Sequence, residues 1–386
     1  MNDNTNFDVI VLGVGSMGSA TCYQLARQGY KVLGLEQFDI PHELGSHAGQ
    51  SRLIRKAYAE HPDYVPLLEQ AYQNWKTLEA ETGVQVYFKT GLLYFGADSN
   101  SFLKGVLTSS EKYSIQVNSL SRALVSENYP QFNIPDSYSC LEEPDAGFVT
   151  PERSILLFTE QAVQHGAVIR TREEVSEWKR DNGLIRVKTD KGVYAAKKLV
   201  ITAGPWAGKM IPGLASKLQV TRQVVAWVKP EKGDNFMLGN FPCWFIGDGE
   251  YSYYGFPILP VNKFGEPRGL KLAMHAPIGD ISDPDTIDRT PNSKDERFLI
   301  NALRKFFHSG YSETLHMKTC MYTNTPDGNF ILDYLDGYDK DVVIAAGFSG
   351  HGFKFASVIG EIMADLAMKG KTELPIGFLN AARFTG

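Results

Sequence analysis

Residues 7–18 of the chain read FDVIVLGVGSMG, and residues 19–36 read SATCYQLARQGYKVLGLE. The apolar run at the start is typical of a buried parallel strand. The next segment predicts a helix that ends at Gly29, and residues 31–35 predict a second strand. A GxGxxG pattern lies between the first strand and the helix, and Glu36 ends the second strand. In this context the pattern predicts a dinucleotide-binding βαβ unit rather than a glycine-rich turn without a ligand.

Each part of this unit has a physical role in binding a dinucleotide. Gly13 permits the tight turn, Gly15 lets a pyrophosphate approach the backbone, and Gly18 lets the helix pack against the strand. The helix N-terminus offers free N–H groups and a partial positive charge to the phosphates. Glu36 can accept hydrogen bonds from a ribose, and its charge opposes a 2′-phosphate, which disfavours NADP. The predicted cofactor-binding residues of the unit are Gly13, Gly15, Ser16, Met17, Gly18, Glu36 and Gln37.

The rest of the chain does not continue as the repeated βα units of a simple NAD dehydrogenase. Aromatic, strand-like segments occur at residues 84–96, 223–228, 251–256 and 269–275. Their β-branched and aromatic content favours an antiparallel sheet. Buried strands near residues 198–203 and 341–347 run into glycine turns like the first one. We therefore predict a discontinuous nucleotide-binding domain of residues 1–83, 151–215 and 318–386, and a substrate domain of residues 84–150 and 216–317.

Composition argues against several classes of function. The 386 residues include 39 Lys and Arg against 44 Asp and Glu, a net charge of −5, which gives no support to a nucleic-acid partner. No run approaches the ~20 apolar residues of a transmembrane helix. The four cysteines are far apart, without metal-ligand or disulfide spacing, and the N-terminus lacks the features of a signal peptide. We expect a soluble, cytoplasmic protein without a nucleic-acid partner, a membrane partner or a metal.

Several further motifs together resemble one known family. They are GSH at 45–47, SRLIR at 51–55, YYGFP at 253–257, LKL at 270–272, CMYT at 320–323 and GFSGHGFKF at 347–355. With the glycine pattern, they resemble the monomeric sarcosine oxidase family, which includes N-methyltryptophan and pipecolate oxidases. The resemblance runs nearly end to end, and its last motif is far more specific than the glycine pattern. It implies FAD as the cofactor, attached by a thioether to Cys320.

The resemblance also implies a fold and a set of contacts. The fold is α/β, with a discontinuous Rossmann-like FAD-binding domain and a mixed, mostly antiparallel β-sheet substrate domain. The implied partners are a small secondary amino acid and O2, and the implied state is a monomer. Outside the βαβ unit, the implied FAD contacts are Ser46, His47, Arg52, Ala203, Gly204, Trp206, Cys320, Gly347, Gly350, Gly352, Phe353 and Lys354.

The implied reaction oxidises a secondary amine such as sarcosine to an imine, while O2 becomes hydrogen peroxide. Water then hydrolyses the imine to glycine and formaldehyde. N-Methyl-L-tryptophan and L-pipecolate are alternative substrates, and an electron-transferring dehydrogenase would differ only in its acceptor. Two other classes of function are a flavin-binding protein without amine oxidation, such as a sensor, and a plain NAD dehydrogenase.

Two cations, Arg55 and Lys354, match the family's pair for the substrate carboxylate. The planar fork of Arg and the point charge of Lys together fix the orientation of an amino acid. The alternative for Arg55 is a surface ion pair, and for Lys354 it is the exposed face of a helix. The resemblance adds Gly350 and Phe245 to the substrate-binding residues, and Phe245 stands where sarcosine oxidase has a methionine.

The resemblance gives catalytic roles to five side chains: Lys271, Arg52, Tyr322, His275 and Tyr254. Lys271 would stabilise superoxide during the reduction of O2. Without the resemblance, alternation in its strand favours a solvent face for Lys271. His275, four residues later, should share that face, and it could instead be a structural histidine. The two tyrosines either line the substrate pocket or pack as core aromatic residues.

Two positions bear on the cofactor and the substrate. Cys320 matches the flavin-linking cysteine, whereas Cys22, Cys140 and Cys243 are interpreted as small buried hydrophobic residues. The family usually shows His-His-Gly-Asp-Thr-Arg before the substrate arginine, and residues 47–52 read HAGQSR. Ala48 therefore replaces a histidine that lies close to the flavin in those enzymes, and this version is closer to that of pipecolate oxidase.

Overall fold

The computed structural model describes residues 6–275 and 280–384. The predicted domain ranges also cover residues 1–5, 276–279 and 385–386, which lie outside the described residues. The strands in chain order are β1 (Asn6–Leu12), β2 (Val32–Leu35), β3 (Arg52–Ile54), β4 (Tyr87–Lys89), β5 (Leu92–Ala97), β6 (Asn118–Leu120), β7 (Tyr138–Glu143), β8 (Gly147–Val149), β9 (Val168–Arg170), β10 (Val175–Asp181), β11 (Leu184–Thr189), β12 (Val193–Ile201), β13 (Gln219–Lys229), β14 (Cys243–Asp248), β15 (Tyr251–Phe256), β16 (Leu270–Met274), β17 (Glu313–Asn324), β18 (Ile331–Tyr334) and β19 (Val342–Ala346).

Helices connect and cover these strands. The α-helices are α1 (Ser16–Arg27), α2 (Val65–Thr82), α3 (Ser101–Tyr113), α4 (Arg122–Asn128), α5 (Pro151–Gln164), α6 (Ala207–Met210), α7 (Val261–Phe264), α8 (Ser293–Phe306) and α9 (Ala356–Lys369). Short 3₁₀ segments are Pro62–Tyr64, Gly204–Trp206, Pro212–Lys217, Gly233–Phe236, Phe353–Phe355, Gly377–Leu379 and Ala381–Phe384.

The first sheet contains the βαβ unit. Its strands follow the order β10-β11-β12-β1-β2-β9, with β19 beside β12 and β18 beside β19. Val9 and Val11 of β1 pack in one core with α1, α5 and α9, while Ile10 and Leu12 pack in a second core on the other face. Burial on both faces explains the continuous apolar run of β1. Leu12 pairs in parallel with Ile201, so the loops after β1 and β12 meet at one edge of the sheet.

The second sheet follows the order β17-β13-β16-β15-β14-β5-β7-β6. Its neighbouring strands are antiparallel except β14 and β5, which are parallel. Helix α8 packs against β13 and β16. The predicted fold class, a Rossmann-like part joined to a mixed and mostly antiparallel sheet, is therefore confirmed.

A small third sheet joins segments that the sequence assigns to different domains. β3 lies in the range 1–83, and it pairs antiparallel with β8 from the range 84–150, which also pairs with β4. In addition, β17 continues without interruption through residues 317 and 318, where one predicted boundary falls. The division into two domains stays a prediction.

Three segments differ from the sequence expectation in their bounds. The strand-like segment 84–96 contains two strands, β4 and β5, because the chain turns at Gly91, whose φ of 71° suits glycine. Helix α1 begins at Ser16 rather than at residue 19, so Gly18 lies inside its first turn. The C-terminal helical segment begins at residue 353 as a 3₁₀ turn and becomes α-helical at Ala356.

Three observations concern membrane-spanning helices, cysteines and metal-ligand groups. In residues 6–275 and 280–384, no helix is long and apolar enough to cross a membrane. The four cysteines are free, and each of them is buried. Within the same described ranges, no group of His, Cys, Asp and Glu side chains could hold a metal ion.

Candidate functional site

A cavity lies where the loops of the first sheet meet the second sheet. Its walls include the turns after β1, β2, β12 and β19 and side chains of β14, β15 and β17. Most of the predicted site residues line it: Gly13, Gly15, Ser16, Met17, Glu36, Gln37, Ser46, His47, Arg52, Arg55, Ala203, Gly204, Trp206, Phe245, Tyr254, His275, Tyr322, Gly347, Gly350, Gly352, Phe353 and Lys354. Gly18, Lys271 and Cys320 are buried beside the cavity and do not line it.

The glycine turn forms one end of the cavity. Gly13 has a φ of 89°, and a Cβ there would lie 2.7 Å from the Thr202 carbonyl oxygen, so glycine is required. Around Gly15 the space is open, since the nearest atom to its ideal Cβ is His47 Nδ1 at 3.9 Å. Gly15 is also the N-cap of α1, without a side-chain cap, which leaves backbone N–H groups of the first turn available to an anion.

Glu36 stabilises this turn as well as lining the cavity. Its carboxylate accepts hydrogen bonds from the backbone N–H of Val14, at 2.9 Å, and of Phe38, at 3.0 Å. Burial raises the pKa of the Glu36 carboxyl, and these backbone hydrogen bonds act in the opposite direction. The sequence predicts a ribose contact for Glu36, and it gives no sign of this link between the two loops.

The cavity can accommodate the polar groups of a dinucleotide such as FAD. Nε2 of His47 and Oγ1 of Thr323 are buried and have no hydrogen-bond partner in the described structure. Both residues line the cavity. Burial lowers the pKa of His47 to about 4, so its imidazole is neutral at pH 7. Because unpartnered buried polar atoms are costly, a ligand with polar atoms at these positions accounts for them, and the residues present fit FAD.

Arg52 organises the loop between the two ends of the cavity. Its guanidinium donates hydrogen bonds to the carbonyl oxygens of Ala48 at 2.5 Å, Ser51 at 3.0 Å and Ser46 at 3.3 Å. Glu152, at the start of α5, accepts hydrogen bonds from the backbone N–H groups of Gly49 and Gln50. The loop is therefore fixed from both sides, and the Arg52 side chain faces the cavity with part of its surface.

Lys271 is fully enclosed next to this loop. The side chain is 2% exposed, so the solvent-face alternative is wrong. Its ammonium donates to the carbonyl oxygens of Gly49 and Ser51 and to Ser51 Oγ, and it lies 4.5 Å from the ring centre of Phe256. Burial and the charge of Arg52 lower the pKa of Lys271 well below its ordinary value.

Cys320 lies on β17 opposite Gln223 of β13. The residue is 6% exposed, while its neighbours Met321 and Tyr322 line the cavity. Burial raises the pKa of the Cys320 thiol, and the nearby charges of Arg52 and Lys271 act against that rise. The thiol is thus placed behind the cavity wall, in a setting that contains two cations.

Arg55 is buried at the other end of the cavity, so the surface ion-pair alternative is wrong. Its Nη2 contacts both carboxylate oxygens of Glu60, at 2.8 and 2.7 Å, and Nη1 donates to the Ala57 carbonyl oxygen at 3.0 Å. Burial alone would raise the pKa of Glu60, yet Arg55, with His351 and Lys354, holds that pKa well below its ordinary value. Sequence reasoning missed Glu60, because residues 55–61 belong to no helix or strand whose period would relate them.

Lys354 is also buried, so the exposed-face alternative is wrong here too. Its ammonium donates to the carbonyl oxygen of His351 at 2.6 Å and to the hydroxyl of Tyr58 at 3.4 Å. Burial, assisted by the charge of Arg55, lowers the pKa of Lys354 to about 7, and Glu60 acts in the opposite direction. Among the described residues, no carboxylate lies within ion-pair distance of this ammonium.

Aromatic side chains form the walls between these cations and the second sheet. Phe245 stacks on Phe102 with ring centres 3.9 Å apart, and Phe102 was not predicted from the sequence. Tyr254 and Tyr322 line the same cavity, and burial raises the pKa of both phenols. The ring of His275 lies 5.9 Å from that of Tyr322, and burial lowers the pKa of His275 to about 4, so it is neutral at pH 7.

Known proteins match nearly the whole chain. The family model described as FAD dependent oxidoreductase matches residues 8–366. A monomeric sarcosine oxidase from a Bacillus species is 37% identical over 98% of this chain and 97% of its own length. An N-methyl-L-tryptophan oxidase from Citrobacter koseri is 35% identical over 98% of this chain and 99% of its own length. The crystal structure of L-proline dehydrogenase from P. horikoshii has a TM-score of 0.81 at 24% identity, covering 99% and 98% of the two chains. The resemblance predicted from the motifs is confirmed.

Proposed function

The chain belongs to the FAD-dependent oxidoreductase family, and on that premise we propose that it oxidises secondary amino acids, with sarcosine as the first substrate to test. One observation carries the proposal: a single cavity extends from the glycine turn to Arg55 and Lys354. A dinucleotide cradle and two buried cations in one cavity suit a flavin and the carboxylate of an amino acid. A flavin-binding sensor or a plain NAD dehydrogenase gives no reason for such a pair of cations.

The proposed reaction converts sarcosine, O2 and water to glycine, formaldehyde and hydrogen peroxide. FAD, when bound, supplies the redox chemistry by taking two electrons from the amine and passing them to O2. The protein binds and orients the substrate. Lys354 and Arg55 bind its carboxylate, and the wall of Phe102, Phe245 and Tyr254 excludes water from the amine.

The remaining site residues have supporting roles in this proposal. Arg52 and Lys271 place positive charge beside the cavity, where it stabilises negative charge that develops during the reduction of O2. Tyr322 and His275 also line the cavity, and His275 is neutral at pH 7. Gly350, with a φ of 79°, leaves no room for a Cβ because the Tyr322 ring packs directly on it. The Tyr322 ring therefore packs closely on the turn that leads to Lys354 and fixes the position of this turn.

The test of this function is the visible spectrum of the purified holoenzyme, recorded anaerobically before and after addition of sarcosine. We expect the flavin band to bleach, and to return with formation of hydrogen peroxide when air is admitted. A yellow protein that does not bleach would exclude sarcosine. N-Methyl-L-tryptophan would be tested next, because the stacked pair Phe102–Phe245 offers an aromatic wall to a ring-bearing substrate. L-Pipecolate would follow. Failure of all three would contradict the proposed class of reaction.

We also propose that FAD is attached covalently to Cys320. The neighbours of Cys320 line the cavity, so its thiol lies next to the space for the cofactor, and the charges of Arg52 and Lys271 oppose the rise in its pKa that burial causes. We expect acid-denatured wild-type protein to keep its yellow colour and Cys320→Ser to release all of its flavin into the supernatant. Cys140→Ser, a change at a buried cysteine on β7 outside the cavity, should keep the colour in the pellet. A colourless wild-type pellet would contradict the covalent bond.

The predicted domain ranges, the monomeric state and a cytoplasmic location belong to this proposal as well. Four free, buried cysteines are consistent with a reducing compartment. The monomeric state is supported by the name of the relative from Bacillus, which is described as monomeric.

A further inference from the structure

Beside the two cations lies a chain of hydrogen bonds that the sequence did not reveal. His351 Nε2 is 3.0 Å from the carbonyl oxygen of Gly328, and His351 Nδ1 is 2.6 Å from the hydroxyl of Tyr58. A carbonyl oxygen can only accept, so the proton of the ring lies on Nε2. Burial lowers the pKa of His351 to about 3, so the ring is neutral and Nδ1 is a bare acceptor. The hydroxyl of Tyr58 therefore donates its proton to Nδ1.

The direction of the hydrogen bond from Tyr58 to His351 determines how the Tyr58 hydroxyl can interact with Lys354. With its proton committed to His351, the phenolic oxygen presents lone pairs, and it accepts a hydrogen bond from Lys354 Nζ at 3.4 Å. The same tyrosine ring lies under the other cation, with the Arg55 guanidinium carbon 4.3 Å from the ring centre. Tyr58 is 0% exposed and thus contacts both cations inside the protein.

We propose that Tyr58 and His351 are positioning residues: they hold Lys354 and Arg55 in the orientation that binds the substrate carboxylate. The inference rests on the proposed function, because the amino-acid substrate supplies the carboxylate that the two cations bind. Gly328 fixes the imidazole, the imidazole fixes the hydroxyl, and the hydroxyl fixes the ammonium. Neither residue takes part in the chemistry at the amine.

Aromatic packing alone does not explain this arrangement. Tyr58 does pack among Tyr64, Phe355 and His351, with ring centres 5.0, 5.2 and 5.7 Å away. A phenylalanine would fill that space without burying a hydroxyl that must find a partner. The hydroxyl and the imidazole satisfy each other in a fixed direction, and the lone pairs that remain point to the ammonium.

The charged and titratable groups that face Lys354 come from several elements. They are Arg55, Tyr58, Glu60, His275 and His351. Removing the Tyr58 oxygen takes away an acceptor that favours the charged ammonium, and the other groups stay in place. The pKa of Lys354 should then fall further, so carboxylate binding should be lost at a lower pH than in the wild type.

The test compares Tyr58→Phe with Tyr64→Phe in the holoenzyme. Tyr64 is an equally buried neighbour whose hydroxyl accepts from the backbone N–H of Phe330 at 3.1 Å, so its loss is a matched structural control. For Tyr58→Phe we expect KM for sarcosine to rise about tenfold, with kcat near the wild-type value. The alkaline limb of kcat/KM should move to lower pH. For Tyr64→Phe we expect neither change, although both variants should lose thermal stability.

A second measurement separates this inference from the proposed function. Acetate, a carboxylate without an amine, is titrated into each holoenzyme and followed by the flavin spectrum. We expect Tyr58→Phe, and also His351→Phe, to bind acetate about tenfold more weakly than the wild type. Equal acetate affinity in the wild type and Tyr58→Phe would overturn the positioning role alone. If the wild type binds no acetate, the proposed carboxylate site is contradicted, and the positioning role that depends on this site is contradicted as well.

Discussion

Replacing Lys271 with methionine is expected to slow the reaction of the reduced enzyme with O2 by roughly 10²-fold, with reduction by sarcosine left near the wild-type rate. The ammonium is enclosed beside the cavity, where a positive charge stabilises an oxygen that gains an electron far more than it would in water. Methionine keeps an unbranched side chain of similar length, so the change removes mainly the charge and its hydrogen bonds.

Rapid-mixing measurements of the two half-reactions would test this expectation. Ser51→Ala is the control for disturbance of the loop, because it removes one acceptor of Lys271 and keeps the ammonium. We expect this control to react with O2 nearly as fast as the wild type. Equal losses in both half-reactions of Lys271→Met would show that the lysine supports the loop and not the oxygen reaction.

Replacing Lys354 with methionine should lower kcat/KM for sarcosine by roughly 10²- to 10³-fold. The Arg55 guanidinium is already paired with Glu60, whereas the ammonium of Lys354 donates to a carbonyl and a hydroxyl oxygen. Lys354 therefore supplies the buried charge that a substrate carboxylate can pair with directly. Lys229→Met, which removes an exposed lysine paired with Glu313, should leave kcat/KM unchanged.

The pH dependence of kcat/KM provides a second test of the role of Lys354. Burial lowers the pKa of Lys354 to about 7, so the ammonium is charged below that pH and neutral above it. In the wild type, kcat/KM should therefore fall as pH rises through about 7, and Lys354→Met should lack this limb. Ionisation of the substrate amine is a property of sarcosine and persists in both proteins. An unchanged limb near pH 7 in the variant would contradict the assignment to Lys354.

The nucleotide half of the site could be predicted from the sequence because its signals are local. Gly13, Gly15 and Gly18 lie within one six-residue stretch of the chain, and the roles of the first two follow from a turn and a helix N-terminus that the sequence pattern defines. The strands at 251–256 and 269–275 were predicted close to their observed bounds because aromatic and β-branched residues mark them. What the pattern could not give was the second role of Glu36, which joins two separate loops.

The substrate half of the site depends on contacts between distant segments of the chain. Less of it could therefore be predicted from the sequence alone. Arg55 and Lys354 were named through the resemblance, yet the pairing of Arg55 with Glu60 was not foreseen. Lys271 could have faced solvent or the interior with the same alternation, because period-two spacing distinguishes two faces without saying which is buried. Tyr58 and His351 meet across 293 positions of the chain, a separation at which no spacing rule applies.

The third sheet has a consequence for how the protein folds. A fragment made of residues 84–150 and 216–317 would lack β3 beside β8 and would cut β17 in the middle of its pairing with β13. Backbone groups of β8 and β13 would lose their partners, and such a fragment should not fold on its own. The predicted nucleotide-binding and substrate domains should therefore unfold in one cooperative transition. For the same reason, tight binding of the cofactor to the first sheet should slow hydrogen exchange in the strands of the second sheet.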